Sequence, residues 1–217
     1  MKIIIVHANE RSLKKSIKIA EEQGEVHLVS EKPFHKSLRK AFEMALDWDC
    51  FTLIGGDQYL YEGAIDRIDE LLDESIFRMS FHGWDHLYQM KRLMAPCVYQ
   101  SKFLKEILSI DASQEIRPES YIRSEMRSRG YEDIIHPDTL AIHDKDQYYR
   151  DIYRKGVFSA AKSMPYIKNN GIINILKASK NMDYKVFLAG INDGINNNIR
   201  PVDEILKQFN LTEKCEL

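Results

Sequence analysis

A single carboxylate ends the third apolar run of this chain. Phe51-Thr-Leu-Ile-Gly-Gly-Asp57 begins as a short segment of the kind that forms a buried strand, then reaches two glycines and Asp57. Glycine lets a ligand come close to the backbone, here at Gly56, and open α/β sheets bind ligands outside the carboxyl ends of their strands. Asp57 there could be a ligand group or could simply cap or terminate a turn. Downstream, Glu119 stands just behind Pro118, and His143 closes an apolar stretch. Glu119 could accept a proton or only complement a helix N-terminus. His143 could ligate a metal or be a core histidine bonded to backbone. Arg150 and Arg154 could pair bidentately with phosphate, or simply lie on the solvated face of a basic helix. A rival constellation is His82-Gly-Trp-Asp85-His86. Two imidazoles and a carboxylate have the ligand chemistry of a metal-dependent hydrolase, but the spacing fits no zinc motif.

The elements that must position these groups follow from periodicity. Lys2 to His7 is a β-branched run, as in a central buried strand. Leu13, Ile17 and Ala20 recur at helical spacing, with Asn9 or Ser12 placed to cap that helix. Val26 to Val29 predicts a second strand, Leu38, Phe42 and Ala45 a second helix, Phe51 to Ile54 a third strand, and Ile65 to Glu74 a third helix. This β-α-β-α-β-α order predicts a mainly parallel sheet flanked by helices. The rhythm then breaks. Phe77 to Trp84 predicts a strand, and Pro96 confines Leu93 to Tyr99 to an edge or a bulge. Pro118 suits the first turn of a helix that stops at Gly130. Tyr131 to Ile135 and Thr139 to Ile142 predict two short strands. Beyond His143 the chain reads as helical, with a Gly- and Asn-rich turn over 190–198 before a last helix from Pro201 to Phe209.

The chain has 217 residues, 44% of them hydrophobic, enough for one α/β domain with a C-terminal appendage. Its formal net charge of −2 gives no basic footprint for nucleic acid. Residues 145–185 carry nine Lys and Arg against three Asp and Glu, which offers peripheral contact with an anionic membrane surface or, more simply, a solvated helical face. Cys50, Cys97 and Cys215 are widely spaced and suit a reducing compartment. No signal-peptide pattern or membrane-length apolar run is present, so a cytoplasmic location is expected.

Taken in order, these parts resemble a GT-A type glycosyltransferase, close to the large inverting family 2, over roughly residues 1–160. The helix Phe34-His-Lys-Ser-Leu-Arg-Lys-Ala-Phe-Glu-Met-Ala45 is similar to that family's Ala-rich helix, and Phe51 to Asp57 is similar to its strand ending in Asp-x-Asp, with Gly55 in place of the first Asp. Ala95 to Leu104 resembles the extended acceptor-side segment. Arg117-Pro-Glu-Ser-Tyr resembles the start of the helix that carries the Glu-Asp pair, with Ser120 in place of the Asp. Ile142-His143-Asp144 resembles the late His of the metal shell.

The resemblance implies a GT-A-like, Rossmann-like α/β fold over 1–160 and a mainly helical extension over 161–217. It implies a nucleotide-sugar donor, a glycan or lipid-linked acceptor, and a Mn2+ or Mg2+ cofactor on Asp57 and His143. Glu119 then corresponds to the base and Asp85 lines the acceptor pocket. Glu31 stands near the nucleotide base, Gly56 beside the donor, and Arg150 and Arg154 near the diphosphate. The alternatives are a nucleotide-sugar-binding protein of the same fold without catalysis, and the hydrolase built on His82, Asp85 and His86.

Overall fold

A computed structural model describes residues 1–215 and 217. It divides into two compact units, residues 1–84 with 91–143, and residues 85–90 with 144–217. The division after His143 lies earlier than the boundary expected near residue 160, and the turn after the fifth strand belongs to the second unit.

The first unit is α/β, with helices flanking an open sheet. Its strands are β1 (Lys2–Val6), β2 (Glu25–Val29), β3 (Cys50–Gly55), β4 (Gln58–Leu60), β5 (Arg78–Asp85), β6 (Met90–Gln100) and β7 (Asp133–His143). They lie side by side in the order β2-β1-β3-β6-β5-β7-β4. β1 pairs in parallel with both β2 and β3, as the alternating strands and helices of the first 55 residues require. β1 is buried over Ile3, Ile4 and Ile5, which accounts for its unbroken apolar run.

From β3 onward the sheet is mixed. β6 runs antiparallel to β3, with Cys50 opposite Gln100 and Leu53 opposite Cys97. It is an internal strand, not the edge that Pro96 had suggested. The β3–β6 ladder stops at Cys97, one residue short of Pro96, so the missing N–H of proline falls where pairing with β3 has already ended. β7 is one strand across the two short segments expected there, and β4, too short to stand out in the sequence, pairs antiparallel with its end.

Helices α1 (Leu13–Glu21), α2 (Phe34–Met44), α3 (Ala64–Leu71), α4 (Leu104–Leu108) and α5 (Pro118–Ser128) cover the sheet. Pro118 sits at the first turn of α5. Two apolar cores result: Leu38, Phe42, Phe51, Tyr99 and Met126 pack in one, and Ile3, Ile5, Ile54, Ile65 and Phe81 in the other.

The second unit is helical: α6 (Tyr149–Lys162), α7 (Met164–Asn169), α8 (Ile172–Ala178), α9 (Met182–Ile195) and α10 (Val202–Gln208). α9 runs straight through Gly190 and Gly194, where the sequence predicts a turn. The reason is packing against α6. A Cβ on Gly156 would come within 2.4 Å of the Phe187 carbonyl oxygen, and one on Gly190 within 2.2 Å of the Tyr153 carbonyl oxygen. These glycines remove side chains at a helix crossing; they do not end a helix. Among the described residues, no helix is long and apolar enough to cross a membrane.

Candidate active site

The site forms where β1, β2 and β3 end. After β3 the chain turns through Gly55-Gly56-Asp57 into β4, and the Gly56 N–H donates to the Val6 carbonyl at 2.9 Å, extending the β1–β3 pairing by one bond. Two hydroxyls of the first helix hold the turn from the other side. Ser12 Oγ donates to the Gly56 carbonyl at 3.0 Å and Ser16 Oγ to the Gln58 carbonyl at 2.6 Å. Ser12 stands at the N-cap position but makes no side-chain cap bond; tying down the Asp57 turn takes its place. No side chain fits at Gly56, because a Cβ would lie 2.6 Å from Glu10 Oε2 and 2.8 Å from His7 Cβ. A Cβ at Gly55 would lie 2.6 Å from Asp57 Oδ1, so the carboxylate that is present occupies the space of the one that is not.

β4 carries Asp57 to its partner. In the β4–β7 ladder Gln58 stands directly opposite His143, and Asp57, one residue earlier, reaches His143 Nε2 with its Oδ2 at 3.3 Å. Both side chains are mostly buried. An imidazole beside carboxylate oxygens suits Mn2+, and the hard oxygen donors suit Mg2+ as well.

A cavity of about 390 Å³ opens beside this pair. His7 and Glu10 line it after β1, Glu31, Phe34 and Ser37 after β2, Gly55 and Asp57 after β3, and Met94 and Glu119 from further along the chain. Its place outside the carboxyl ends of parallel strands is the usual ligand position in an α/β sheet. Carboxylates outnumber cations on its wall, so an anionic ligand entering alone would be repelled. Glu31 is held below the usual carboxylate range by its bond to Lys40 at 2.9 Å. Burial lowers the pKa of His7, against a smaller opposing effect of Asn9.

Glu119 has partners that its sequence position did not announce. Its Oε1 accepts from Arg78 Nη2 at 2.8 Å and from the Tyr99 hydroxyl at 3.0 Å. Arg78 is buried in β5 and also donates to Tyr99 Oη at 3.1 Å, Cys97 Sγ at 3.0 Å and the Ser80 hydroxyl. Burial would push the Glu119 carboxyl up, but the Arg78 guanidinium and the hydrogen bonds outweigh it and hold the carboxyl below its ordinary value. Burial pushes the neighbouring Cys97 thiol up to about 12, so it stays protonated. A signal was available in the sequence: Arg78 and Ser80 alternate with Met79 and Phe81, and a period of two places them on one face of the strand.

Of the remaining sequence candidates, His82 belongs to the first unit and Asp85, His86, Arg150 and Arg154 to the second. Asp85 is fully buried in the second unit, where its Oδ1 accepts the Tyr88 N–H at 3.0 Å and fixes a turn. Arg150 lies over the Tyr148 ring at 4.2 Å, and Arg154 is exposed on α6. His82 Nδ1 meets the His136 carbonyl oxygen at 3.0 Å, whereas His86 Nε2 pairs with Asp183 at 3.4 Å. Among the described residues, the ligand group at Asp57 and His143 includes none of His82, Asp85 or His86.

No family model matches the chain, and no curated protein matches it in sequence. Among solved structures it is similar to A197 from STIV, with 12% identity and a TM-score of 0.49 over 65% of this chain and 84% of that one. It is similar to a glycosyltransferase involved in glycosylation of the major capsid of PBCV-1, with 12% identity and a TM-score of 0.46 over 67% of this chain and 95% of that one. It is also similar to the mannosyltransferase PcManGT from Pyrobaculum calidifontis, solved in complex with GDP-Man and Mn2+, with 14% identity and a TM-score of 0.48 over 96% of this chain and 79% of that one.

Proposed function

We propose that the chain is a GT-A type glycosyltransferase that takes a sugar from a nucleotide-sugar donor, with inversion, to a glycan or lipid-linked acceptor. The observation that carries the reading is that Asp57, Glu31 and Glu119, from separated stretches of sequence, line one cavity at the strand ends, with His143 against Asp57. Asp57 and His143 hold a divalent cation, Mn2+ or Mg2+. When bound, that cation offsets the charge developing on the departing diphosphate. Gly56 keeps the backbone open to the donor, and Glu31 faces the nucleotide end. Glu119 is ionised and takes the proton of the acceptor hydroxyl.

A thermal-shift screen of nucleoside diphosphates with and without Mn2+ tests the reading, because a ligand that binds only the folded state raises its stability. The expected result is stabilisation by at least one diphosphate that needs Mn2+ and disappears in Asp57→Ala. Stabilisation that Asp57→Ala leaves intact would remove Asp57 from the site.

A second reading keeps the binding and drops the catalysis. Its support is the pair of substitutions Gly55 and Ser120 at positions where the resemblance expects carboxylates. Diphosphate binding without sugar release across a panel of donors would select it.

The basic stretch 145–185 is proposed to rest on an anionic membrane surface. Phe158 is 59% exposed within it, with Lys162 Nζ 5.1 Å from the centre of its ring. Cosedimentation with vesicles containing phosphatidylserine, lost in Phe158→Ser, is the expected outcome.

A further inference from the structure

We propose that Arg78 and Tyr99 are positioning residues that clamp one oxygen of Glu119 and leave its other oxygen to receive a proton from the substrate in the cavity. The proposal rests on the reading of Glu119 as the base. Its geometry is a closed triangle within the first unit. Arg78 Nη2 and Tyr99 Oη both donate to Glu119 Oε1, at 2.8 and 3.0 Å, and Arg78 Nε donates to Tyr99 Oη at 3.1 Å. Each corner is fixed independently. Tyr99 stacks on Phe51 with ring centres 5.6 Å apart and meets Phe42 edge-on at 5.1 Å. Arg78 is buried among Ser80, Cys97 and Tyr99. The Glu119 side chain alone remains 31% exposed, and it lines the cavity.

The second carboxylate near Arg78 does not compete for it. Asp133, on β7, lies 3.9 Å from Arg78 Nη1 but is satisfied from α5 by Arg123 and by Arg127 at 3.3 Å. The groups facing Glu119 on its anchored side are thus Arg78 from β5 and Cys97 and Tyr99 from β6, with Asp133, Arg123 and Arg127 behind Arg78, and His7, Glu10, Glu31, Lys32 and Asp57 line the same cavity. A carboxylate anchored through one oxygen loses rotational freedom and presents the other in a fixed direction, which is the geometric requirement on a general base. The anchoring donors also favour the ionised form, at some cost in basicity.

The test compares Tyr99→Phe with the wild-type protein. Removing the hydroxyl deletes one donor while keeping the ring in its aromatic packing. Protein labelled with 13C at Glu side-chain carboxyls is titrated by NMR, and Glu119→Gln identifies the signal of residue 119. The expected result is a titration midpoint raised by about one to two units, the worth of one hydrogen bond to a charged group. The acid limb of kcat/KM for nucleotide-sugar turnover should rise equally, with the donor KM unchanged. An unmoved midpoint overturns the clamp. A raised midpoint with an unmoved acid limb overturns Glu119 as the base. Absence of turnover in the wild-type protein with every donor overturns the transferase reading, while the titration still decides the clamp. If Tyr99→Phe does not fold, Arg78→Lys is read in the same way, since it keeps the charge and loses the fork.

Discussion

The imidazole of His143 lies 3.3 Å from the carboxylate of Asp57 although 86 positions separate them in the chain. Strand pairing brings them together. Gln58 and His143 are directly opposed in the β4–β7 ladder, so the residue before β4 meets the residue that ends β7. The juxtaposition of these two candidate ligands depends on a strand of only three residues.

Removal of either member should be read first in metal binding. Asp57→Asn and His143→Ala are each expected to weaken Mn2+ binding by about 10- to 100-fold or more, by analogy with the loss of supporting groups around a metal. Titration calorimetry with Mn2+ measures this directly. A His82→Ala/His86→Ala double variant should leave the affinity unchanged; loss of binding in that variant would revive the hydrolase site.

Gly56→Ala should both destabilise the protein and damage the site. The added methyl meets Glu10 Oε2 at 2.6 Å and His7 Cβ at 2.8 Å, and the turn that carries Asp57 must shift to relieve the overlap. A cost of about 1–3 kcal/mol is expected from such overpacking. Urea denaturation gives the stability, and Mn2+ affinity reports the displacement of Asp57.

Gly190→Ala should destabilise the helical unit although alanine is the better helix former. Its propensity gain is about 1 kcal/mol. A Cβ 2.2 Å from the Tyr153 carbonyl oxygen forces α6 and α9 apart, and a net loss of about 1–3 kcal/mol is expected. An unchanged melting curve would refute this account of the α6–α9 crossing.

Acid sensitivity should trace in part to Glu119. Its folded carboxyl is held below the ordinary value of 4.5, so its stabilising contribution is complete above that value and is lost as pH falls through the lower, folded one. Glu119→Gln should cost about 1–3 kcal/mol at pH 7, where a charged hydrogen-bonding partner of Arg78 is lost. The gap between variant and wild type should narrow as pH drops below about 4.5. Urea midpoints measured from pH 7 down to pH 3 check the sign.

The first half of the fold was legible because its causes are local. The β-branched run from Lys2, the helical spacing of Leu13, Ile17 and Ala20, and the strand ending at Gly55 each declare themselves within a few residues. The second half was less so. Pro96 reads as an edge residue, yet it sits in an internal strand, because one missing N–H matters only if a neighbour would have used it. Gly190 reads as a turn, yet it sits inside α9, because the reason for its missing side chain is another helix.

The sequence by itself determined that Asp57 would follow a buried strand beside two glycines and that Glu119 would open a helix behind a proline, since both follow from short-range backbone preference. Tertiary structure alone decided which groups share a hollow. It set His143 against Asp57, pinned Glu119 to Arg78 and Tyr99, and gave Asp85 to a turn. These are contacts between residues far apart in the chain. They depend on strand order and on which side chain is nearest once the core has closed, and no local pattern of residue types records either.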